Sequence, residues 1–132
     1  MLQSKDPACF TNILGKLPNN VVLMTTIETN RDSQYSGISK APLPSQRFND
    51  FLKLNWPRKA LVMEPIMDFD LDIILEWAKE LKPEAIFIGF ESHGKCKLPE
   101  PSPSKVLNLH KELQALGLRT YDKKEFKYKD VF

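Results

Sequence analysis

The stretch ALVMEPIMDFDLDIILEWAKELKPEAIFIGF, residues 60–90, decides the fold. It begins with a short uncharged run that is typical of a strand buried on both faces. Apolar residues at helical spacing follow, and a second β-rich run ends the stretch. The apolar helix positions are Leu71, Ile74, Leu75, Ala78 and Leu81. A strand, an amphipathic helix and a further strand form a βαβ unit, which predicts a parallel sheet.

The same pattern extends in both directions from this stretch. Upstream, residues 21–27 predict another uncharged strand, 29–44 a polar loop, and Ser45 the N-cap of a short helix. Residues 10–17 have the apolar spacing of a helix end. Downstream, helix start and stop signals precede a further strand: Ser102 with Pro103, Gly117, and then residues 118–121.

The order of these elements predicts one α/β domain over residues 1–132, with a parallel sheet of three to four βα units and a charged tail at 122–132. Such units make either half of an eight-stranded, TIM-like barrel or a small open sheet. Periodicity leaves both architectures open. In a half-barrel, the strand at residues 21–27 is expected at an edge of the sheet.

Composition excludes several classes of protein. The formal net charge is +2, with acids and bases interspersed, which disfavours a nucleic-acid binder. No apolar run approaches the roughly 20 residues of a membrane span. The two cysteines, Cys9 and Cys96, are far apart and lack zinc-ligand spacing, so no metal site is expected. A reduced, cytoplasmic protein is the natural interpretation.

Carboxylates follow each of three predicted strands. Glu28, Glu64 and Glu91 come where an apolar run stops, and the carboxyl ends of parallel strands meet at one edge of a sheet. Such an edge can hold hydroxyls, an ammonium group or a cation by charge-assisted hydrogen bonds. The alternative is that each carboxylate is simply an exposed or helix-capping residue, and capping is favoured for Asp68.

Three other residues carry open alternatives. Arg31 could clamp a carboxylate or phosphate, or form a structural ion pair with Glu28 or Asp32. His93 could act as a general acid or base, although an exposed histidine in a Gly/Lys loop is the commoner case. Cys96 lies between two lysines that could lower its thiol pKa, but no base partner is identifiable.

Three stretches together resemble the later units of radical S-adenosylmethionine proteins, of the uncharacterised type found in phage and prokaryotic genomes. They are TTIETNR at residues 25–31, MEPIMDFD at 63–70 and LPEPS at 98–102. The SKAP loop at 39–42 also fits, and the resemblance covers roughly residues 10–122.

This resemblance implies a partial (β/α) barrel that binds S-adenosylmethionine beside a 4Fe–4S cluster. On this chain the cofactor-binding positions would be Glu28, Asn30 and Arg31, with Glu64 and Glu91 facing the substrate side. The family's cluster requires three thiolates, commonly spaced C-x-x-x-C-x-x-C. This chain has no such triplet, so no cluster is expected from it alone and no catalytic residue is assigned.

The leading hypothesis is therefore a radical S-adenosylmethionine-like half-barrel without independent catalysis, such as the C-terminal part of a split or truncated S-adenosylmethionine-dependent enzyme. Its exposed edges predict a partner, either a cluster-bearing N-terminal polypeptide or a second copy of this chain. One alternative is a small-ligand-binding module without iron. The other is a metal-assisted hydrolase that uses Glu28, Glu64, Glu91 and His93 with a hard divalent cation.

Overall fold

The computed structural model describes residues 1–92, 99–125 and 131–132. Its centre is a sheet of five parallel strands whose spatial order is the order of the chain. The strands are β1 (Leu2–Ser4), β2 (Leu23–Thr26), β3 (Lys59–Met63), β4 (Ala85–Ile88) and β5 (Thr120–Asp122). This confirms the predicted α/β class, and the consecutive parallel order is that of a partial βα barrel.

Helices connect the strands. The described helices are α1 (Asp32–Tyr35), α2 (Pro44–Lys53), α3 (Leu71–Leu81) and α4 (Pro103–Ala115). Two short 3-10 segments, Pro7–Asn12 and Leu14–Lys16, lie between β1 and β2. In the described ranges, no helix has both the length and the apolar character to cross a bilayer.

The two faces of the sheet have different covers. Along β3, Leu61 and Met63 point into the main core together with apolar residues of α2, α3 and α4, because successive side chains of a strand alternate between faces. Ala60 and Val62 point to the opposite, inner face. The buried apolar residues of α2, α3 and α4 all belong to the main core, and among the described residues no helix contributes to the cluster on the inner face.

The inner face is nevertheless buried. Its residues include Val22, Met24, Val62 and Phe87, none more than 2% exposed. Aromatic rings cover Phe87: Tyr121 stacks on it at 5.4 Å between centroids, and Phe132 meets it edge-on at 6.0 Å. The charged tail thus contains at least one apolar pair, Val131 and Phe132, that packs against the sheet.

The sequence analysis missed the first strand, β1, and the strand expected at the edge of the sheet is therefore not an edge strand. Leu2–Ser4 pairs in parallel with β2, Leu2 lying opposite Leu23, so the strand predicted at 21–27 is an inner strand rather than an edge. The polar sequence of the first seven residues hid β1, since a three-residue edge strand needs little apolar surface. The pattern at 118–121 was interpreted correctly as a strand, and β5 forms the other edge.

Helix boundaries follow the capping signals unevenly. Ser102 is the N-cap of α4 and accepts a hydrogen bond from the Lys105 backbone N–H at 3.2 Å. Gly117 follows α4 with φ +79°, a conformation that favours glycine. The assignment of Ser45 as an N-cap was wrong, because Pro44 opens α2 and Ser45 lies within it. The polar loop at 29–44 contains the short helix α1, and residues 10–17 form 3-10 segments.

Candidate functional site

The predicted carboxylates do leave the sheet at one edge. Glu28, Glu64 and Glu91 follow β2, β3 and β4, which are adjacent and parallel. Backbone hydrogen bonds join the connections just past the strands: the Met67 N–H donates to the Glu28 carbonyl, and the Ile66 N–H donates to the Gly89 carbonyl, both at 2.8 Å. These backbone hydrogen bonds hold the segments that follow β2, β3 and β4 together at the carboxyl edge of the sheet.

Two of the three carboxylates share a cleft of about 290 Å³, which we call the strand-end cleft. It is lined by Glu64, Pro65, Phe90, Glu91 and Ser92. The cleft combines two carboxylates, a hydroxyl and an aromatic ring. Carboxylates bind ammonium groups and hydroxyls, and an aromatic face attracts cations. Its chemistry therefore suits a small ligand that is positively charged and carries hydroxyls.

Lys123, the residue after β5, forms an ion pair with Glu64, one of the residues that line this cleft. The Lys123 ammonium lies 3.4 Å from Glu64 Oε2, and both side chains are partly exposed. The Lys123 stem passes over Gly89, where a Cβ would stand only 2.8 Å from Lys123 Cβ. Glycine is required at this position by close approach of a neighbouring chain segment.

Glu28 belongs to a different environment, the buried Glu28 cluster, made of Lys5, Glu28, Tyr35 and Arg47. The Glu28 side chain is only 2% exposed. It accepts hydrogen bonds from Arg47 Nη1 at 2.8 Å and from Tyr35 Oη at 3.3 Å, and it pairs with the Lys5 ammonium at 2.6 Å. These contacts use both carboxylate oxygens, so Glu28 holds β1, β2 and α2 together.

Arg47 is the residue that sequence reasoning missed in this cluster. It is fully buried, stacks at 4.4 Å on the Tyr35 ring, and donates to the carbonyls of Thr26 and Pro42 at 2.7 and 2.6 Å. It thereby fastens the long β2–α2 connection to the end of β2. A sequence signal existed: Arg47 lies four positions before Phe51, on the apolar face of α2.

Asn30 and Arg31 belong to a third group, the rim network, completed by Asp68, Asp70 and Lys105. Arg31 is ion-paired through its guanidinium with both Asp68 and Asp70, the latter at 2.6 Å. Asn30 donates to Asp70 at 3.2 Å, and Lys105 pairs with Asp68 at 2.7 Å. The expected ion pair of Arg31 with Glu28 or Asp32 was wrong, because the β3–α3 loop supplies nearer carboxylates.

The rim network shifts the titration of its acids. Hydrogen bonds from Lys105 and then Arg31 hold the pKa of Asp68 below its ordinary value. A hydrogen bond from Arg31 does the same, with a smaller contribution from Asn30, for the pKa of Asp70. Each shift favours the charged carboxylate. The ion pairs of the network therefore connect the β2–α1 loop, which carries Arg31, to the β3–α3 loop, and connect that loop to Lys105 on α4.

The five sequence-predicted site residues thus divide among three environments. Glu64 and Glu91 meet in the strand-end cleft, Glu28 is internally paired, and Asn30 and Arg31 lie in the rim network. His93 and Cys96 lie outside the described residues. Within residues 1–92, 99–125 and 131–132, no three His, Cys, Asp or Glu side chains come close enough to hold a metal ion.

Fold and site together define an α/β protein with consecutive parallel strands and a small acidic cleft at their carboxyl edge. Comparison with protein-family models gives no match, and comparisons with curated proteins and with solved structures give no significant match.

Proposed function

We propose that this chain is a radical S-adenosylmethionine-like half-barrel that binds the positively charged cofactor, or a cationic metabolite of similar chemistry, in the strand-end cleft. It has no catalysis of its own in this proposal. The observation that supports it is that Glu64, Glu91 and Phe90 line the same cleft. This cleft lies at the carboxyl edge of the sheet, where parallel α/β proteins bind their ligands.

The chemistry of S-adenosylmethionine fits this lining. The molecule carries a sulfonium and an ammonium group, both cationic, and a ribose with two hydroxyls. A carboxylate can pair with the ammonium or accept hydrogen bonds from the hydroxyls. The Phe90 side chain lines the cleft, and an aromatic ring attracts a cation such as the sulfonium. Glu91 is held in the loop by its backbone N–H, which donates to Glu100 Oε1 at 3.2 Å.

The residues do not fit an iron–sulfur cluster. Two cysteines, Cys9 and Cys96, cannot supply the three thiolates that such a cluster requires. A radical reaction would therefore depend on a separate cluster-bearing polypeptide, and the proposal assigns this chain the role of its ligand-binding partner in the cytoplasm. Without such a partner, the same cleft defines a small-ligand-binding module that operates without iron.

Titration calorimetry with the whole chain tests the proposal. We expect S-adenosylmethionine to bind, and S-adenosylhomocysteine, which lacks the sulfonium charge, to bind more weakly. Glu64→Gln and Glu91→Gln should each weaken S-adenosylmethionine binding by about tenfold or more, because each removes one charge-assisted contact worth about 1.5–3 kcal/mol.

Glu80→Gln is the matched control, since it removes the same charge from an exposed position on α3, away from the cleft. Its affinity should equal that of the unmodified protein. Absence of binding by the unmodified protein, or equal losses in all three variants, would refute ligand binding in the cleft. Co-purification with a candidate cluster-bearing chain tests the partner separately.

A further inference from the structure

We propose that an apolar cleft between the C-terminal ends of α3 and α4 is a docking site for an acidic, amphipathic segment of a partner protein. The cleft, which we call the helix-end cleft, has a volume of about 420 Å³ and is lined by Ala78, Lys79, Lys82, Leu116 and Leu118. It lies at the amino edge of the sheet, because α3 leads into β4 and α4 leads into β5. The inference is independent of the proposed function, which concerns the opposite, carboxyl edge.

The ends of the two helices fix the positions of the lining residues. Lys82 is the C-cap of α3 in the left-handed conformation, with φ +50°, and its N–H donates to the Ala78 carbonyl at 2.9 Å. Gly117 has a similar conformation after α4, with φ +79°, and the Leu118 N–H donates to the Leu113 carbonyl at 3.1 Å. Hydrogen bonds of this kind close helix C-termini. Both sides of the cleft are therefore held by the backbone.

The floor of the helix-end cleft is apolar and partly open to solvent. Ala78 is 1% exposed, whereas Leu116 is 39% exposed, and Leu118 packs partly buried against the main core. Covering the exposed part of Leu116 would be favourable, because burial removes apolar surface from water. Small-molecule pockets enclose most of the ligand surface. An open apolar floor is better suited to a side chain of a protein segment, whose own backbone covers the outer side.

Two lysines give the helix-end cleft its charge. Lys79 and Lys82 lie three positions apart at the end of α3, a spacing that places side chains on the same side of a helix, and both are exposed. Neither forms an ion pair with another residue that the structure describes. A partner segment with a large apolar residue flanked by aspartate or glutamate would fill the floor and pair its carboxylates with the two ammonium groups.

Fluorescence anisotropy with the whole chain tests this docking site. The probe is a labelled helical peptide of leucine, alanine and glutamate, and its charge control is the same peptide with lysine in place of glutamate. We expect the glutamate peptide to bind and the lysine peptide not to bind. Leu116→Asp should weaken binding of the glutamate peptide about tenfold or more. Leu107→Asp makes the same change at a residue of α4 that is 56% exposed and outside the cleft, and it should leave the affinity unchanged.

A second pair of variants tests the charge of the cleft. Lys82→Gln should weaken binding of the glutamate peptide about two- to fivefold, the range of one exposed ion pair. Lys40→Gln removes the same charge from an exposed residue outside the cleft and should bind like the unmodified protein. Urea unfolding midpoints of all four variants establish that they are folded. The lysine variants keep the test decisive even if Leu116→Asp lowers its midpoint.

The remaining outcomes would overturn the proposal. Failure of the glutamate peptide to bind the unmodified protein would reject the docking site, as would equal binding of the two peptides. Equal losses in Leu116→Asp and Leu107→Asp would place the peptide elsewhere on the surface. Binding of decanoate without binding of the peptide would assign the cleft to a small amphiphile. Self-association of the unmodified protein that Leu116→Asp abolishes would assign it to a second copy of this chain.

Discussion

Arg47 and Glu28 form an ion pair inside the protein, with Arg47 Nη1 2.8 Å from Glu28 Oε2 and side-chain exposures of 0% and 2%. The pair joins α2 to the end of β2, and Lys5 and Tyr35 supply the remaining carboxylate contacts. Arg47 Nη2 is buried and has no hydrogen-bond partner among the residues that the structure describes. The cluster therefore has a structural function at the carboxyl end of β2.

Arg47→Met should destabilise the protein by about 3–5 kcal/mol, because it leaves a buried carboxylate with less compensating charge. Urea unfolding followed by circular dichroism measures the loss. Arg58→Met is the control: Arg58 pairs with Glu84 at 2.9 Å, but both side chains are partly exposed, so its loss should be much smaller. Equal losses of unfolding free energy in the two variants would show that the buried ion pair of Glu28 stabilises the protein no more than an exposed one.

The sequence predicted the sheet well because its inner strands are uncharged runs separated by amphipathic helices. β3, β4 and α3 could all be recognised from local pattern alone. β1 could not, since Leu2–Ser4 is three residues long and owes its conformation to pairing with β2. Local sequence contains no information about a strand that exists only through a distant partner.

The site was predictable only in part, for a related reason. Strand ends identified Glu64 and Glu91, which share the cleft. The same rule could not predict that Glu28 would form an ion pair with Arg47, 19 residues away. Nor could it predict that Arg31 would pair with Asp68 and Asp70, which lie 37 and 39 residues from it. Side-chain pairing across loops depends on tertiary geometry, whereas strand direction follows from local pattern.

Gly89→Ala should destabilise the protein by about 1–3 kcal/mol, because the new Cβ would stand 2.8 Å from Lys123 Cβ. Lys123→Gly should relieve this clash, whereas Lys123→Ala, which keeps the Cβ, should not. Double-mutant cycles in urea unfolding measure the difference: Gly89→Ala should couple favourably to Lys123→Gly only. Similar coupling to both variants would mean that the two segments do not approach this closely.

Acid should unfold the protein partly through the rim network. The pKa values of Asp68 and Asp70 are lowered from 3.8 in the folded state, so their stabilisation is complete above that value and is lost as the pH falls through the lower folded-state pKa values. Asp68→Asn should therefore make the loss of stability below about pH 4 shallower. Urea midpoints measured between neutral and acidic pH would show the change.

Glu76→Gln provides the comparison for this titration, since Glu76 is exposed on α3 and lies outside the rim network. Its urea midpoints should follow those of the unmodified protein across the whole pH range. If Asp68→Asn has the same pH dependence as Glu76→Gln, the ion pairs of Asp68 with Lys105 and Arg31 do not persist in solution.

Phe132→Ala should destabilise the protein by about 1–2 kcal/mol, less than the value for a fully buried phenylalanine, because Phe132 is only half-buried. Its ring meets Phe87 at 6.0 Å on the inner face of the sheet, a face to which none of the described helices contributes buried apolar residues. The same substitution should increase the fluorescence of a hydrophobic dye as this face becomes accessible. Leu107→Ala, at a residue 56% exposed on α4, should change neither quantity. If both variants behave alike, Phe132 does not cover the sheet, and the inner face must be closed by other contacts.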